Sequence, residues 1–99
     1  MIVLRACLTI DPAGREIFLS ALREFVDHSR AETDCLTFDV GEDVHALNRF
    51  IVLEVWATHA ALDQHEKSSH VATFKAKIGT LVTERETTQV YTVNNVSTL

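Results

Sequence analysis

The stretch RFIVLEVWATHAALDQHEKSSHVATF, residues Arg49 to Phe74, decides the fold of this chain. Its first eight residues are mostly apolar and β-branched, which predicts a strand over 49–56. Thr58 is a typical helix N-cap and predicts a helix over 59–66. The pair Ser68–Ser69 predicts the start of a second helix, over 69–82. The stretch therefore predicts one strand followed by two short helices.

The residues on either side of this stretch extend the pattern to a complete α+β domain. Asp11 and Pro12 form a capping residue and a first-turn proline, which predict the start of a long helix. Strands are predicted at 2–10, 36–40 and 88–93, the long helix at 13–31, and a polar connection at 41–48. The order βαββαβ predicts a ferredoxin-like fold, in which a four-stranded antiparallel sheet carries its helices on one face.

The first and third predicted strands are apolar on both faces, as the neighbours Val52 and Leu53 illustrate. An antiparallel sheet with one solvated face normally alternates apolar and polar residues. Because the helices can cover only one face, a second copy of the chain is expected to cover the other. The sequence therefore predicts a homodimer.

Length and charge narrow the classes of function. Ninety-nine residues make one domain over 1–99, and 14 acidic against 9 basic residues give a net charge of -5. Without a basic patch, nucleic acid is not an expected partner. No apolar stretch has the length of a membrane span, and the run at 1–5 is too short for a signal peptide. We therefore expect a cytoplasmic protein with no membrane partner.

An acid and an imidazole are predicted to meet between the third strand and the following helix. Glu54 and Trp56 share strand parity with Phe50, so these side chains should project to one side. A buried carboxylate requires a partner, and His65 is on the helix face expected to dock on the sheet. Glu54 then either orients His65 for catalysis or forms a structural pair with it, and the sequence leaves both readings open.

The remaining candidates have equally open roles. His70 could point into the same cleft, or could be a first-turn residue beside a serine cap. Trp56 could be a pocket wall or part of the core. His59, His65 and His70 are six and five residues apart, so no two share a helical face, and no HExxH pattern accompanies them. Neither a metal nor a cofactor is therefore expected.

Two blocks of the chain have a recognisable pattern. They read Arg30-Ala31-Glu32-Thr33-Asp34-Cys35-Leu36-Thr37-Phe38-Asp39-Val40 and, downstream, Glu54-Val55-Trp56, Thr58, Ala61-Leu62-Asp63-Gln64-His65 and Ser68-Ser69-His70-Val71. With these blocks the chain resembles the antibiotic biosynthesis monooxygenase family. The upstream block departs from the family pattern at Thr33 and Asp34, where proline and glycine are usual, and this bears on the turn conformation.

The resemblance implies a dimeric α+β barrel and a cofactor-independent monooxygenase. Its substrates would be dioxygen and an electron-rich aromatic molecule, such as a quinol or polyphenol. The expected catalytic residues are His65 as base, Glu54 as its orienting carboxylate and His70 as a hydrogen-bond partner of a substrate oxygen. The expected apolar contacts of the substrate are Trp56, Phe50 and Phe74.

Two alternative functions remain open. Residues 36–40 and 48–50 are also similar to relatives that isomerise a small phosphorylated signalling sugar, for which Arg5, Arg30 and Arg49 are the candidate phosphate contacts. The other alternative is a non-catalytic dimer that binds a small hydrophobic ligand or a partner protein. It predicts that Glu54 and His65 satisfy each other with no room beside them. Oxygen uptake would separate the monooxygenase from the isomerase.

Overall fold

The chain is organised around a five-stranded antiparallel sheet, described by a computed structural model of residues 1–99. Three helices and one 3-10 turn connect the strands. In chain order the elements are β1 (Ile2–Ile10), a 3-10 turn (Pro12–Gly14), α1 (Arg15–Arg30), β2 (Cys35–Glu42), β3 (Arg49–Trp56), α2 (His59–Glu66), α3 (Ser69–Ile78), β4 (Val82–Arg85) and β5 (Gln89–Thr92). The predicted α+β ferredoxin-like class is confirmed.

The sheet has the order β2-β3-β1, and β4 and β5 both pair with the remaining edge of β1. All pairings are antiparallel. β5 pairs with the beginning of β1 and β4 with its end, where β1 carries an irregularity between Thr9 and Ile10. The single last strand predicted from the sequence is thus two short strands that share one edge.

The predicted helix 69–82 is wrong over its last four residues, 79–82. α3 ends at Ile78, and Val82–Arg85 forms β4 instead. Leu81 continues the helical spacing of the apolar residues, but it reaches the core from the turn that follows α3 and packs over Gly14. The helical spacing of apolar residues therefore extends beyond the end of α3, because Leu81, a residue of the following turn, also packs into the core.

The capping residues predict the starts of α2 and α3 correctly, whereas Asp11 caps the 3-10 turn and α1 begins after it, at Arg15 rather than at residue 13. The Asp11 side chain accepts a hydrogen bond from the Ala13 amide at 2.9 Å, and the Thr58 hydroxyl accepts one from the Ala61 amide at 3.1 Å. Ser68 caps α3 in the same way. These bonds satisfy amides that have no partner inside the helix. None of the three helices combines the length and the hydropathy that crossing a bilayer requires.

One face of the sheet carries the core. Side chains of β1, β2 and β3 on that face meet the apolar sides of the helices, and Trp56, Phe18 and Phe38 are among the largest fully buried groups. On the opposite face Val3, Ile51 and Val55 are only partly buried, and Leu53 is 39% exposed. The helices therefore leave uncovered a sheet face that carries these apolar residues together with the exposed Arg5 and Asp39.

Candidate active site

Glu54 and Trp56 lie on the helix-facing side of β3, opposite Leu4 and Ile2 of β1. Both are buried, and the indole Nε1–H of Trp56 donates a hydrogen bond to Oε1 of Glu54 at 3.0 Å. Burial raises the pKa of the Glu54 carboxyl above its ordinary value, because removal from water disfavours the charged form. Part of the effect is offset by the Trp56 hydrogen bond, which favours the carboxylate.

His65 lies near the end of α2 and is directed at the same place. Its ring is 1% exposed and packs against the rings of Trp56 and Phe38, with centroid distances of 4.8 and 5.4 Å. Nε2 of His65 is 3.7 Å from Oε1 of Glu54, which is outside hydrogen-bond range but close enough for a strong electrostatic effect. The predicted meeting of Glu54 and His65 is thus present in the structure.

Sequence reasoning missed the carboxylate that bonds His65 directly. Oε2 of Glu32 is 2.5 Å from Nδ1 of His65 and 3.0 Å from Nε2 of His70. An ionised carboxylate can only accept hydrogen bonds, so we assign the proton to Nδ1 of His65. In the neutral ring this leaves the lone pair on Nε2, which is the nitrogen on the Glu54 side. The orienting role expected of Glu54 is therefore better matched by Glu32.

The turn after α1 brings Glu32 to this position. Arg30 donates a hydrogen bond through Nε to the carbonyl of Phe38 at 2.9 Å, and the Ala57 amide donates to the carbonyl of Asp34 at 2.9 Å. Asp34 has φ of 63°, the left-handed conformation that glycine adopts freely and aspartate tolerates. The departure from glycine thus leaves the turn intact. Glu32 was part of the motif in the sequence, but no periodicity connects it to His65.

Glu54 and His65 line a cavity of about 350 Å³ between the sheet and the helices. Eight of its 14 lining residues are hydrophobic, and Glu54 and His65 are among the polar ones. The apolar lining includes Leu4, Ala6, Val52, Phe25, Phe74 and Ile78. The volume is in the range of pockets that take small organic ligands, and a few polar groups in an apolar wall are typical of them.

The other predicted site residues are distributed differently. Phe74 lines the cavity, whereas Trp56 is buried behind Glu54 and does not reach it. Phe50 lies outside the cavity and packs against Phe18 at a centroid distance of 4.8 Å. The structure therefore places only one of the three predicted aromatic contacts, Phe74, at the cavity wall.

His70 lines a separate groove of about 100 Å³ between α1 and α3. Phe25 and Phe74 line both spaces and stack with a centroid distance of 4.2 Å and an interplanar angle of 4°, so this pair forms the partition. His70 thus contacts the catalytic candidates through Glu32 rather than from inside the cavity.

Two groups of side chains have the composition of metal ligands. They are Glu32, His65 and His70, and Glu54, His65 and Glu66, with the ligand atoms of each group within 4.8 Å of one another. The histidine spacing could not reveal them, because Glu32 and Glu54 come from other parts of the chain. In the first group the Glu32 oxygen accepts from both rings, so a cation would have to displace the proton on Nδ1 of His65.

The family model for antibiotic biosynthesis monooxygenase matches residues 1–77. The chain belongs to this family. A relative that is 42% identical over 77 residues is named "Putative monooxygenase YcnE", from Bacillus subtilis (strain 168), and the match covers 78% of this chain and 81% of that protein. These matches support a monooxygenase-like function.

Two solved structures have the same fold as this chain. A protein of Deinococcus radiodurans, named "putative antibiotic biosynthesis monooxygenase", superimposes with a TM-score of 0.91 at 20% identity, covering 100% of this chain and 98% of the other. Rv0793 from Mycobacterium tuberculosis superimposes with a TM-score of 0.87 at 23% identity, covering 98% of both chains. At these identities the likeness concerns the fold alone.

Proposed function

We propose that this protein is a monooxygenase that oxidises an electron-rich hydroxylated aromatic substrate with dioxygen and no resident cofactor. The observation that carries the proposal is the buried His65, which lines an apolar cavity together with Glu54 and whose Nδ1 is hydrogen-bonded to Glu32. A base in an apolar space of this size suits a substrate of one or two aromatic rings.

The first step of the proposed reaction is removal of a proton from a substrate hydroxyl. Nε2 of His65 accepts this proton, and the ring becomes an imidazolium ion. The Glu32 carboxylate, 2.5 Å from Nδ1, stabilises the positive charge that develops. The low polarity around the ring strengthens this interaction, since few water molecules compete for it.

The second step is electron transfer from the substrate. A phenolate or quinol anion can give an electron to dioxygen, and the two radicals then combine to form a carbon–oxygen bond. Loss of water from the resulting hydroperoxide leaves one oxygen atom in a quinone product and the other in water. Nε2–H of His65 can return its proton to the departing oxygen, so the protein needs to supply only proton transfer and a site without bulk water.

The two alternative functions receive less support from the geometry. Arg30 is bonded to the Phe38 carbonyl and to Asp39, Arg49 is bonded to Asp43 and Glu86, and neither of them nor Arg5 lines the cavity. The three arginines expected to bind phosphate in an isomerase therefore lie outside the cavity that contains Glu54 and His65. A non-catalytic dimer would have no free space beside Glu54 and His65, whereas both line a cavity.

Oxygen-electrode assays of purified, metal-free protein with a panel of quinols and hydroxylated polycyclic aromatics test the proposal. His65→Ala is expected to lower kcat by about 10²- to 10⁴-fold, the usual contribution of a general base. The matched control is His59→Ala, since His59 is an exposed histidine at the other end of the same helix. Full turnover by His65→Ala would refute the role of this ring.

We also propose that the protein is a homodimer, joined through the sheet face that the helices leave uncovered. Leu53 is 39% exposed there and is flanked on the neighbouring strands by Arg5 and Asp39, while Val3, Ile51 and Val55 lie further along the same face. Partly exposed apolar residues gathered on one sheet face are typical of a surface that another protein covers. A second copy supplies an identical apolar face, which is the closed arrangement that most homodimers use.

A further inference from the structure

Two basic side chains line the same cavity as His65 and Glu54. Lys75 comes from α3 and Arg85 from β4, and both are exposed at the cavity rim. Neither has a carboxylate within 4.0 Å, whereas Arg15, Arg30 and Arg49 all form ion pairs of 3.1 Å or less. Their positive charge is thus available to a ligand in the cavity.

Arg85 lies far from the acid end of the cavity. It pairs with Leu8 on β1, while Glu54 pairs with Leu4. Four residues of strand separate these positions by about 13 Å along β1, and two strand spacings add about 10 Å across the sheet. Glu66, the second carboxylate in the cavity lining, lies within 4.8 Å of the ligand atoms of Glu54 and His65. Ile78, three residues after Lys75, packs in the cluster that contains Ile10 and contacts Leu8, so this part of α3 lies at the Arg85 end of β1. The cavity therefore has an acidic end at Glu54 and Glu66 and a basic end at Arg85 and Lys75.

Lys75 is placed on the cavity side of α3. It follows Val71 by four residues, and both line the cavity together with Phe74 and Ile78. Residues with this spacing occupy one face of a helix. Lys77, two residues further, belongs instead to the groove on the other side and is bonded to Glu24 at 3.1 Å. The two lysines of α3 therefore lie on different surfaces, Lys75 at the cavity and Lys77 at the groove.

We propose that the cavity selects a hydroxylated aromatic substrate that carries a carboxylate at the end opposite its reactive hydroxyl. This inference rests on the proposed function for the His65 end. There the hydroxyl proton meets Nε2 of His65. At the other end Lys75 and Arg85 hold the carboxylate, and the apolar wall between the two ends contacts the rings.

Isothermal titration calorimetry with two ligands tests this selection. The probes are a hydroxynaphthoic acid, with its hydroxyl and carboxyl groups at opposite ends of the two rings, and the corresponding neutral carboxamide. The wild-type protein is expected to bind the acid about 3- to 30-fold more tightly, since two solvent-exposed ion pairs contribute modestly. The preference should decrease as salt is added, because exposed charges are screened.

The double variant Lys75→Gln/Arg85→Gln is expected to bind the two ligands equally. Its affinity for the carboxamide should equal that of the wild type, which at the same time shows that the variant is folded. Lys77→Gln removes one positive charge from the same helix outside the cavity, and should keep the preference for the acid.

Three results would overturn the inference. They are equal binding of both ligands by the wild type, an undiminished preference in the double variant, and binding of neither ligand.

Oxygen uptake with neutral quinols is measured in parallel. Oxygen uptake that depends on His65, without a preference for the acid, would refute the carboxylate selection and leave the monooxygenase standing. The opposite result is also possible: the double variant loses the preference for the acid over the carboxamide, but no quinol causes oxygen uptake. This result would refute the monooxygenase function and support the carboxylate site at the basic end of the cavity.

Discussion

Glu32→Ala tests the arrangement that holds the buried histidine. The Glu32 carboxylate accepts hydrogen bonds from His65 and His70 through one oxygen, and its side chain is 18% exposed. Removal of the carboxylate leaves the Nδ1–H group of His65 without an acceptor, and the ring is 1% exposed, so water cannot easily replace it. His70 is 17% exposed in its side chain and can bond to water instead.

The expected cost follows from these two exposures. A buried donor without an acceptor costs about 1–3 kcal/mol, and charge-assisted bonds lie at the upper end. His65 should account for most of this amount and His70 for less than about 1 kcal/mol, so Glu32→Ala should lower the free energy of unfolding by about 2–4 kcal/mol. In a domain of this size that lowers Tm by at least about 8 °C. Glu32→Gln keeps a carbonyl acceptor and should cost less.

Urea unfolding at pH 7 and at a fixed protein concentration measures the difference, because a dimer would make the midpoint depend on concentration. Glu24→Ala is the matched control. It removes a glutamate from an exposed ion pair with Lys77 and should cost no more than about 1 kcal/mol. If Glu32→Ala is as stable as the control, the proposed anchoring of His65 is wrong.

Two further predictions concern the cavity and the sheet face. Because burial raises the folded-state pKa of Glu54 above 4.5, its stabilising contribution is complete below that pH and is lost as pH rises through the folded pKa. Glu54→Gln should therefore be more stable than the wild type at neutral pH and equal to it below pH 4.5, as measured by urea unfolding; a constant difference would contradict the shift. If the proposed dimer forms through the sheet face, Leu53→Glu should give monomers in analytical ultracentrifugation, while Leu47→Glu, in a loop and 76% exposed, should not. A dimer that survives Leu53→Glu would place the interface elsewhere.

The sequence predicts the helix starts well and the end of the chain less well. Asp11, Thr58 and Ser68 cap helices through bonds to residues two or three positions further on, so their effect is local and visible in the sequence. The split between β4 and β5 depends on how two short segments share the edge of β1, some seventy residues earlier. Leu81 shows the difficulty, because a turn residue that packs into the core has the same spacing as a helical one.

The alternation of side chains along a strand made one part of the site predictable, namely the positions of Glu54 and Trp56. Side chains two residues apart on a strand share a face, so Glu54 and Trp56 had to lie on the same side of β3. The position of His65 followed from the apolar face of its helix. By contrast, nothing local indicates that His70 lies on the other side of the Phe25–Phe74 partition, or that Phe50 and Trp56 are covered by neighbouring side chains.

The sequence by itself determined the order of elements as far as α3, the capping residues and the face of the sheet on which the acid and the indole lie, because these depend on residues adjacent along the chain. Only the tertiary structure decided which carboxylate holds His65. Glu32 is 33 residues away from that ring, and the turn after α1 brings it there through contacts with β2 and with the end of β3. The nearest oxygen of Glu32 is about one ångström closer to a ring nitrogen of His65 than the nearest oxygen of Glu54 is. Differences of this size are determined by side-chain packing and not by the sequence pattern.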